Sequence, residues 1–201
     1  MALRALMVDV DGVVVRPGWP ARRWDADLEA DLGVKREDLQ TFFFAKHFRD
    51  IVLGKAAIEQ RLAIALPGFA PHVTVEQLLA YWFAKDANLD HQLLTDLADY
   101  RRSGLQLHLA TVQEHRRADH LWNVLKLRDH FDGLHHSAAV GSAKPDLAYF
   151  RAVEVRTGFA SDEVLLIDDS AANVEGARAA GWRSVLWTGE ATLHALLPAI
   201  E

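Results

Sequence analysis

Ala5–Val15 reads ALMVDVDGVVV, and the rest of the chain is best read outward from it. The apolar run Ala5 to Val8 ends in Asp9, Asp11 follows one residue later, and Gly12 comes next. A short continuous apolar run closed by a turn residue predicts a strand covered on both faces, as at the centre of a parallel sheet. Two carboxylates at the C-terminal end of such a strand are destabilising unless they bind a metal or do chemistry. Asp9 is therefore a candidate nucleophile and Asp11 a candidate general acid/base. Both are candidates to hold a hard divalent cation.

The chain has 201 residues, half of them hydrophobic and a quarter charged, which suits one large globular domain or one domain with a small insert. Its net charge of −6 argues against nonspecific nucleic-acid binding. With no cysteine, disulfides and thiolate chemistry are excluded. The ten histidines are scattered and form no HExxH pair, which argues against zinc. The stretch MALRALMVDVDG breaks its apolar run with Arg4 and then turns acidic. It reads as neither a signal peptide nor a membrane span, which needs about 20 apolar residues. A cytoplasmic enzyme with no membrane partner is the expectation.

After Gly12 the run Arg16-Pro17-Gly18-Trp19-Pro20 marks a break, taken as a domain boundary. From Ala21 to about Asp86 the signals are helical. Trp24, Leu28 and Leu32 recur at helical spacing before Gly33, a C-cap candidate. Glu37–Phe48 carries the block Phe42-Phe43-Phe44, Lys55–Leu66 ends at Pro67-Gly68, and Thr74–Lys85 opens on a Thr74/Gln77 capping box. Leu89–Ser103 is a further helix before Gly104. Strands and helices then alternate: strand Leu105–Ala110, helix Glu114–Lys126, strand Gly133–His136, helix Asp146–Thr157, strand Glu163–Ile167, helix Ala171–Ala180, strand Ser184–Trp187 and helix Thr192–Leu197. Such alternation predicts an α/β fold with a Rossmann-like, doubly wound parallel sheet. The all-helical stretch reads as a small cap inserted after the first strand. The core is then residues 1–15 and 87–201, and the cap 16–86.

Ligands of open parallel sheets sit at the C-terminal strand ends. There the sequence delivers Asp9 and Asp11, Thr111, Asp168 and Asp169, with Lys144 following the short third strand. An aspartate can attack a phosphoryl group and form an acyl phosphate. A second carboxylate can protonate the leaving oxygen and then activate water. Mg²⁺ prefers oxygen ligands, so Asp9, Asp169 and the Asp11 carbonyl suit it directly and Asp168 through water. Thr111 and Lys144 would hold the remaining phosphoryl oxygens.

These pieces resemble the haloacid dehalogenase superfamily of hydrolases. The matching segments are DVDGV at Asp9–Val13, Thr111 after LHLA, Lys144-Pro145 within GSAKPDLAYF, and LIDDSAANVEGARAAGW at Leu166–Trp182. The resemblance runs over nearly the whole chain, and the helical insert is similar to the class I cap of that superfamily. It implies a phosphatase-type member, because dehalogenases proper lack the second acid that Asp11 supplies. It also implies that the Val112 backbone N–H contacts phosphate, where many relatives carry Asn. Val13 and Asn173 are further departures, at positions often held by Thr and by an acid. The implied reaction is Mg²⁺-dependent hydrolysis of a small phosphorylated metabolite through an aspartyl phosphate. A mutase of the beta-phosphoglucomutase type and a catalytically silent binding or regulatory protein remain alternatives. Phosphonatase relatives use a cap lysine, for which Lys46 and Lys55 are available.

Other readings favour packing. The phenylalanine block suits the cap's own core, although Phe44, His47 or Arg49 can reach a leaving group if the cap faces the crevice. His115 and Arg116 read as a solvated helix start, and the tryptophans as packing rather than a platform for bases.

Overall fold

The computed structural model describes residues 2–16 and 23–197, so the expected boundary at Pro17–Pro20 lies outside the described residues. Five strands form one sheet: β1 (Ala5–Val8), β2 (Gln106–Thr111), β3 (Gly133–His136), β4 (Val164–Asp168) and β5 (Arg183–Leu186). Their order is β3-β2-β1-β4-β5 and every pairing is parallel. β1 is central and all its residues are buried, which is why it reads as an unbroken apolar run. Val8 pairs with Leu109 on one side and Ile167 on the other. This register brings Asp9, Thr111 and Asp168 out at one edge of the sheet. The chain leaves β1 toward β2 on one side and β4 on the other, so that edge is a topological switch point.

The insert after β1 is helical: α1 (Leu28–Leu32), α2 (Arg36–Leu39), α3 (Ala45–Val52), α4 (Ile58–Ala65) and α5 (Val75–Lys85). Leu28, Phe43, Ile51, Ile58, Leu62 and Leu79 belong to an apolar cluster of its own. Gly33 closes α1 at φ 65°, and Thr74 caps α5 in the expected box with Gln77. The expected single helix Glu37–Phe48 is instead two helices joined by a π-helical turn, Gln40–Phe44, and it runs on to Val52. The wider turn sends Phe43 into the insert's core and leaves Gln40 and Phe44 on the side facing the sheet. Helical spacing alone does not reveal such a turn. Two expected starts also move: residues 24–27 form turns before α1, and α4 begins at Ile58 rather than Lys55.

The remaining helices are α6 (His91–Arg102), α7 (His115–Asp119), α8 (Ser137–Val140), α9 (Leu147–Thr157), α10 (Ala171–Ala179) and α11 (Leu193–Leu196). The expected helix Glu114–Lys126 is split, α7 passing into a π-helical stretch at His120–Val124, and α8 was not expected at all. Strand alternation assigns the two sheet faces. Leu6, Val8 and Ile167 pack on α6, while Met7 and Leu166 pack on Tyr149, Phe150 and Ala177. Among the described residues no helix is long and apolar enough to cross a membrane.

A histidine pair bridges β2 and β3. His135 Nε2 lies 3.1 Å from His108 Nδ1, and the rings stack at 5.2 Å. A Cβ on Gly133 would come within 2.5 Å of His108 Nδ1, so that glycine makes room for the ring. Burial, with the neighbouring His108 charge, lowers His135 to about 4. A histidine held below its unfolded value stabilises fully only above that value, near 6.5, and loses the contribution as pH falls toward about 4. Raised carboxyls at the strand ends slope the opposite way, so the comparison must be differential. The stability advantage of the native chain over His135→Gln, from urea unfolding, shrinks by about 2 kcal/mol between pH 7.5 and pH 5. An advantage independent of pH would contradict the neutral, buried pair.

Candidate active site

Asp9 leaves β1 with its backbone N–H donating to the Ile167 carbonyl at 2.9 Å. Its carboxylate lies 3.0 Å from Lys144 Nζ. That ammonium is fully buried, and it also donates to the Ala110 carbonyl at 2.6 Å and to Asp168 Oδ2 at 2.5 Å. Asp168, at the end of β4, is buried as well. It accepts from Asn173 Nδ2 at 3.0 and 3.2 Å and from the Ser170 N–H at 2.9 Å. Asn173, a departure from the family pattern, thus acts on Asp168 directly. Asp169 is exposed and lies against Gly12, where a Cβ would overlap its carboxylate. Gly12 also sits at φ +79°, so both space and backbone conformation call for glycine.

Asp9, Asp168 and Asp169 each offer a carboxylate oxygen within 4.8 Å of the others. Burial raises the Asp9 carboxyl, with Lys144 pulling it down and Asp168 pushing it up. Burial and then Asp168 raise Asp169. Three acids against one ammonium leave surplus negative charge, and this set of hard oxygen donors fits a divalent cation.

Asp11 is an exposed residue beside the crevice, while the protein packed around its carboxyl desolvates it. That desolvation, followed by the charge of Asp86, pushes it up to about 7, while Arg117 and a hydrogen bond from Gln113 oppose the rise. Gln113 Nε2 donates to Asp11 Oδ2 at 2.5 Å. Thr111 is buried at the end of β2, and Val112 lines the crevice beside Gln113. The geometry therefore gathers Asp9, Lys144, Asp168 and Asp169 in one cluster, with Asp11, Thr111 and Val112 at its border.

Sequence reading missed Gln113, Asp86 and Arg117. Asp86 ends α5 and pairs at 3.2 Å with Arg117, a fully buried guanidinium on α7. Only Gln113's place two residues past Thr111 hinted at its role. Arg116, expected to be solvated, instead pairs with Glu59 of α4 at 2.8 Å and Glu76 of α5 at 3.0 Å. The insert thus sits over the strand ends and encloses a cavity of about 380 Å³. Phe44 lines it, whereas His47, Arg49, Lys46 and Lys55 are absent from its lining.

Residues 88–187 match the family model of the haloacid dehalogenase-like hydrolases. A phosphatase of Mycobacterium tuberculosis is 26% identical over 92% of this chain and 88% of its own length. A drimenol cyclase of Aspergillus calidoustus is 44% identical over 57 residues, and this match spans 28% of the chain but only 11% of the cyclase. Among solved structures, a HAD family enzyme from Bacteroides thetaiotaomicron in complex with magnesium aligns at a TM-score of 0.82 and 18% identity, covering 99% of this chain and all of that one. The L-2-haloacid dehalogenase of Xanthobacter autotrophicus, with chloropropionic acid covalently bound, aligns at 0.64 and 19% identity over 92% of this chain and 77% of the enzyme. The fold is shared over nearly the whole length, and the part of the chain from just before α6 to just past β5, residues 88–187, belongs to the haloacid dehalogenase-like family.

Proposed function

We propose that the chain hydrolyses a small phosphomonoester, with Mg²⁺, through an aspartyl phosphate on Asp9. The observation that carries this reading is the pairing of a lysine-bound carboxylate, Asp9, with a second carboxyl two residues on that Gln113 holds at 2.5 Å. In this reading the core comprises residues 1–15 and 87–201, and the helical cap residues 16–86. An Asp9 oxygen attacks phosphorus as the ester oxygen departs. Asp11, protonated to a useful extent at neutral pH, gives its proton to that oxygen. Asp11 then takes a proton from the water that attacks the aspartyl phosphate, which releases phosphate and restores Asp9. Thr111, the Val112 N–H and Lys144 hold the phosphoryl oxygens, and Gln113 keeps Asp11 aimed. Asp9, Asp169 and the Asp11 carbonyl would hold Mg²⁺, with Asp168 acting through water. When bound, the cation reduces the repulsion between Asp9 and the phosphate and draws charge from its oxygens. The Mycobacterium phosphatase and the magnesium-bound Bacteroides structure support the choice of reaction and metal by likeness.

The primary test is phosphate release from p-nitrophenyl phosphate. Turnover requires Mg²⁺, and Asp9→Asn reduces it to background. Asp11→Asn lowers kcat roughly 10²–10⁴-fold. Mg²⁺-independent turnover, or full activity in Asp9→Asn, would sink the assignment. Metal binding has its own readout: Mg²⁺ at a hundredfold over its Kd adds about 2.7 kcal/mol to stability, seen as a raised melting temperature. Asp169→Asn should abolish that rise. Gln113→Ala, assayed on an ester that needs its leaving oxygen protonated, should lose kcat roughly tenfold. An unchanged kcat would remove Gln113 from the positioning of Asp11.

A further inference from the structure

The cavity above Asp11 has an aromatic wall. The Trp24 and Trp82 rings stack at 5.0 Å and 19°. Phe44 meets Trp82 edge-on at 5.5 Å and 80°, and Phe48 packs against Phe44 at 5.0 Å and 77°. All four rings line the cavity. They come from the turns before α1, the π-helical turn, α3 and α5, and each ring braces another, so the wall is formed in advance of any ligand. Only the tertiary fold assembles it. Helical spacing explains Trp24 or Phe44 equally well as internal packing.

Among the described lining residues, every charged group except Asp11, which Gln113 holds, pairs with an opposite charge. Arg16 pairs with Asp90 at 3.1 Å, Arg23 with Asp25 at 3.0 Å, Lys85 with Asp31 at 3.0 Å, and Asp86 with Arg117 at 3.2 Å. A second phosphate or a carboxylate on the ligand would have to share these cations with the carboxylates that already neutralise them. A polyol has less apolar area to bury against the rings than an aryl or branched alkyl group, so the wall favours it less. Of the two lining amides, Gln113 is bound to Asp11, which leaves Gln40, exposed on the cavity side of the π-helical turn, as the amide that can meet a ligand hydroxyl.

We propose that this cavity receives the leaving group and that the leaving group is an uncharged apolar alcohol, either an arylmethyl or a branched alkyl alcohol. The substrate class is then apolar phosphomonoesters rather than sugar phosphates or phosphorylated acids. This rests on the phosphatase reading, since Asp11 and Gly12 form the floor where the cavity meets the acid cluster. Apolar area buried against the rings supplies the discrimination, and the volume is that of a small-molecule site.

The test uses binding as well as turnover. With Mg²⁺ present, calorimetry compares 2-naphthylmethylphosphonate, methylphosphonate and the methylene phosphonate analogue of glucose 6-phosphate. The naphthyl compound should bind at least tenfold more tightly than methylphosphonate, and the sugar analogue no more tightly. Phe44→Leu should narrow the naphthyl-to-methyl ratio to threefold or less. Phe48→Leu serves as the second variant if the first does not fold. For turnover, kcat/KM for 2-naphthylmethyl phosphate should exceed that for glucose 6-phosphate at least tenfold, both being primary alkyl esters. A sugar analogue binding as tightly as the naphthyl one, a ratio unmoved in the variants, or no binding by either analogue overturns the proposal. If the ratio holds while no ester is hydrolysed, the phosphatase reading fails and the apolar site stands.

Discussion

A buried ammonium needs anions beside it, and Lys144 has two, Asp168 at 2.5 Å and Asp9 at 3.0 Å. Desolvating such ions is costly unless geometry and further hydrogen bonds compensate. Here the compensation reaches well beyond the pair. The Ala110 carbonyl takes a third proton of the ammonium, and Asn173 and the Ser170 N–H occupy the oxygens of Asp168. The cluster thereby joins the ends of β1, β2 and β4 to the loop before α9 and the first turn of α10. Removing Lys144 would strand two carboxylates at the centre of the sheet.

The insert is anchored to the core by a second set of charges. α7 begins just past β2 and sends Arg116 to Glu59 and Glu76, and Arg117 to Asp86. Ser137 at the start of α8 donates to the Val52 carbonyl at 2.6 Å, and Gly54 approaches the Ala138 backbone too closely for a side chain. Arg116 is partly exposed, so its pairs are weak individually and sensitive to salt. Arg117 is buried and also lies over the Phe83 ring at 5.5 Å. The same contacts set Asp86 near Asp11, so the docking of the insert and the proton affinity of Asp11 are linked.

The strands, their order of use and most of the helix ends were readable because they depend on local rules. An apolar run without alternation marks β1, and the Thr74/Gln77 box and Gly33 mark helix ends whatever surrounds them. The π-helical turns at Gln40–Phe44 and His120–Val124 were not readable, since one extra residue in a turn leaves composition unchanged. Arg116 was misjudged for a related reason: an arginine in the first turn of a helix looks solvated until its partners, 40 and 57 residues away in the chain, are seen.

By itself the sequence determined the parallel core, the helical character of the insert and the acids, threonine and lysine that arrive at the strand ends. Each of these follows from residue type, spacing and the rule that parallel strands present their C-terminal ends together. Tertiary structure alone decided the rest. It aimed Gln113 at Asp11, buried Arg117 beside Asp86, and gathered four aromatic rings from separate turns and helices into one wall. Contacts of that kind depend on how two apolar clusters dock, and docking is fixed by shape and charge across long stretches of chain, where no local pattern records it.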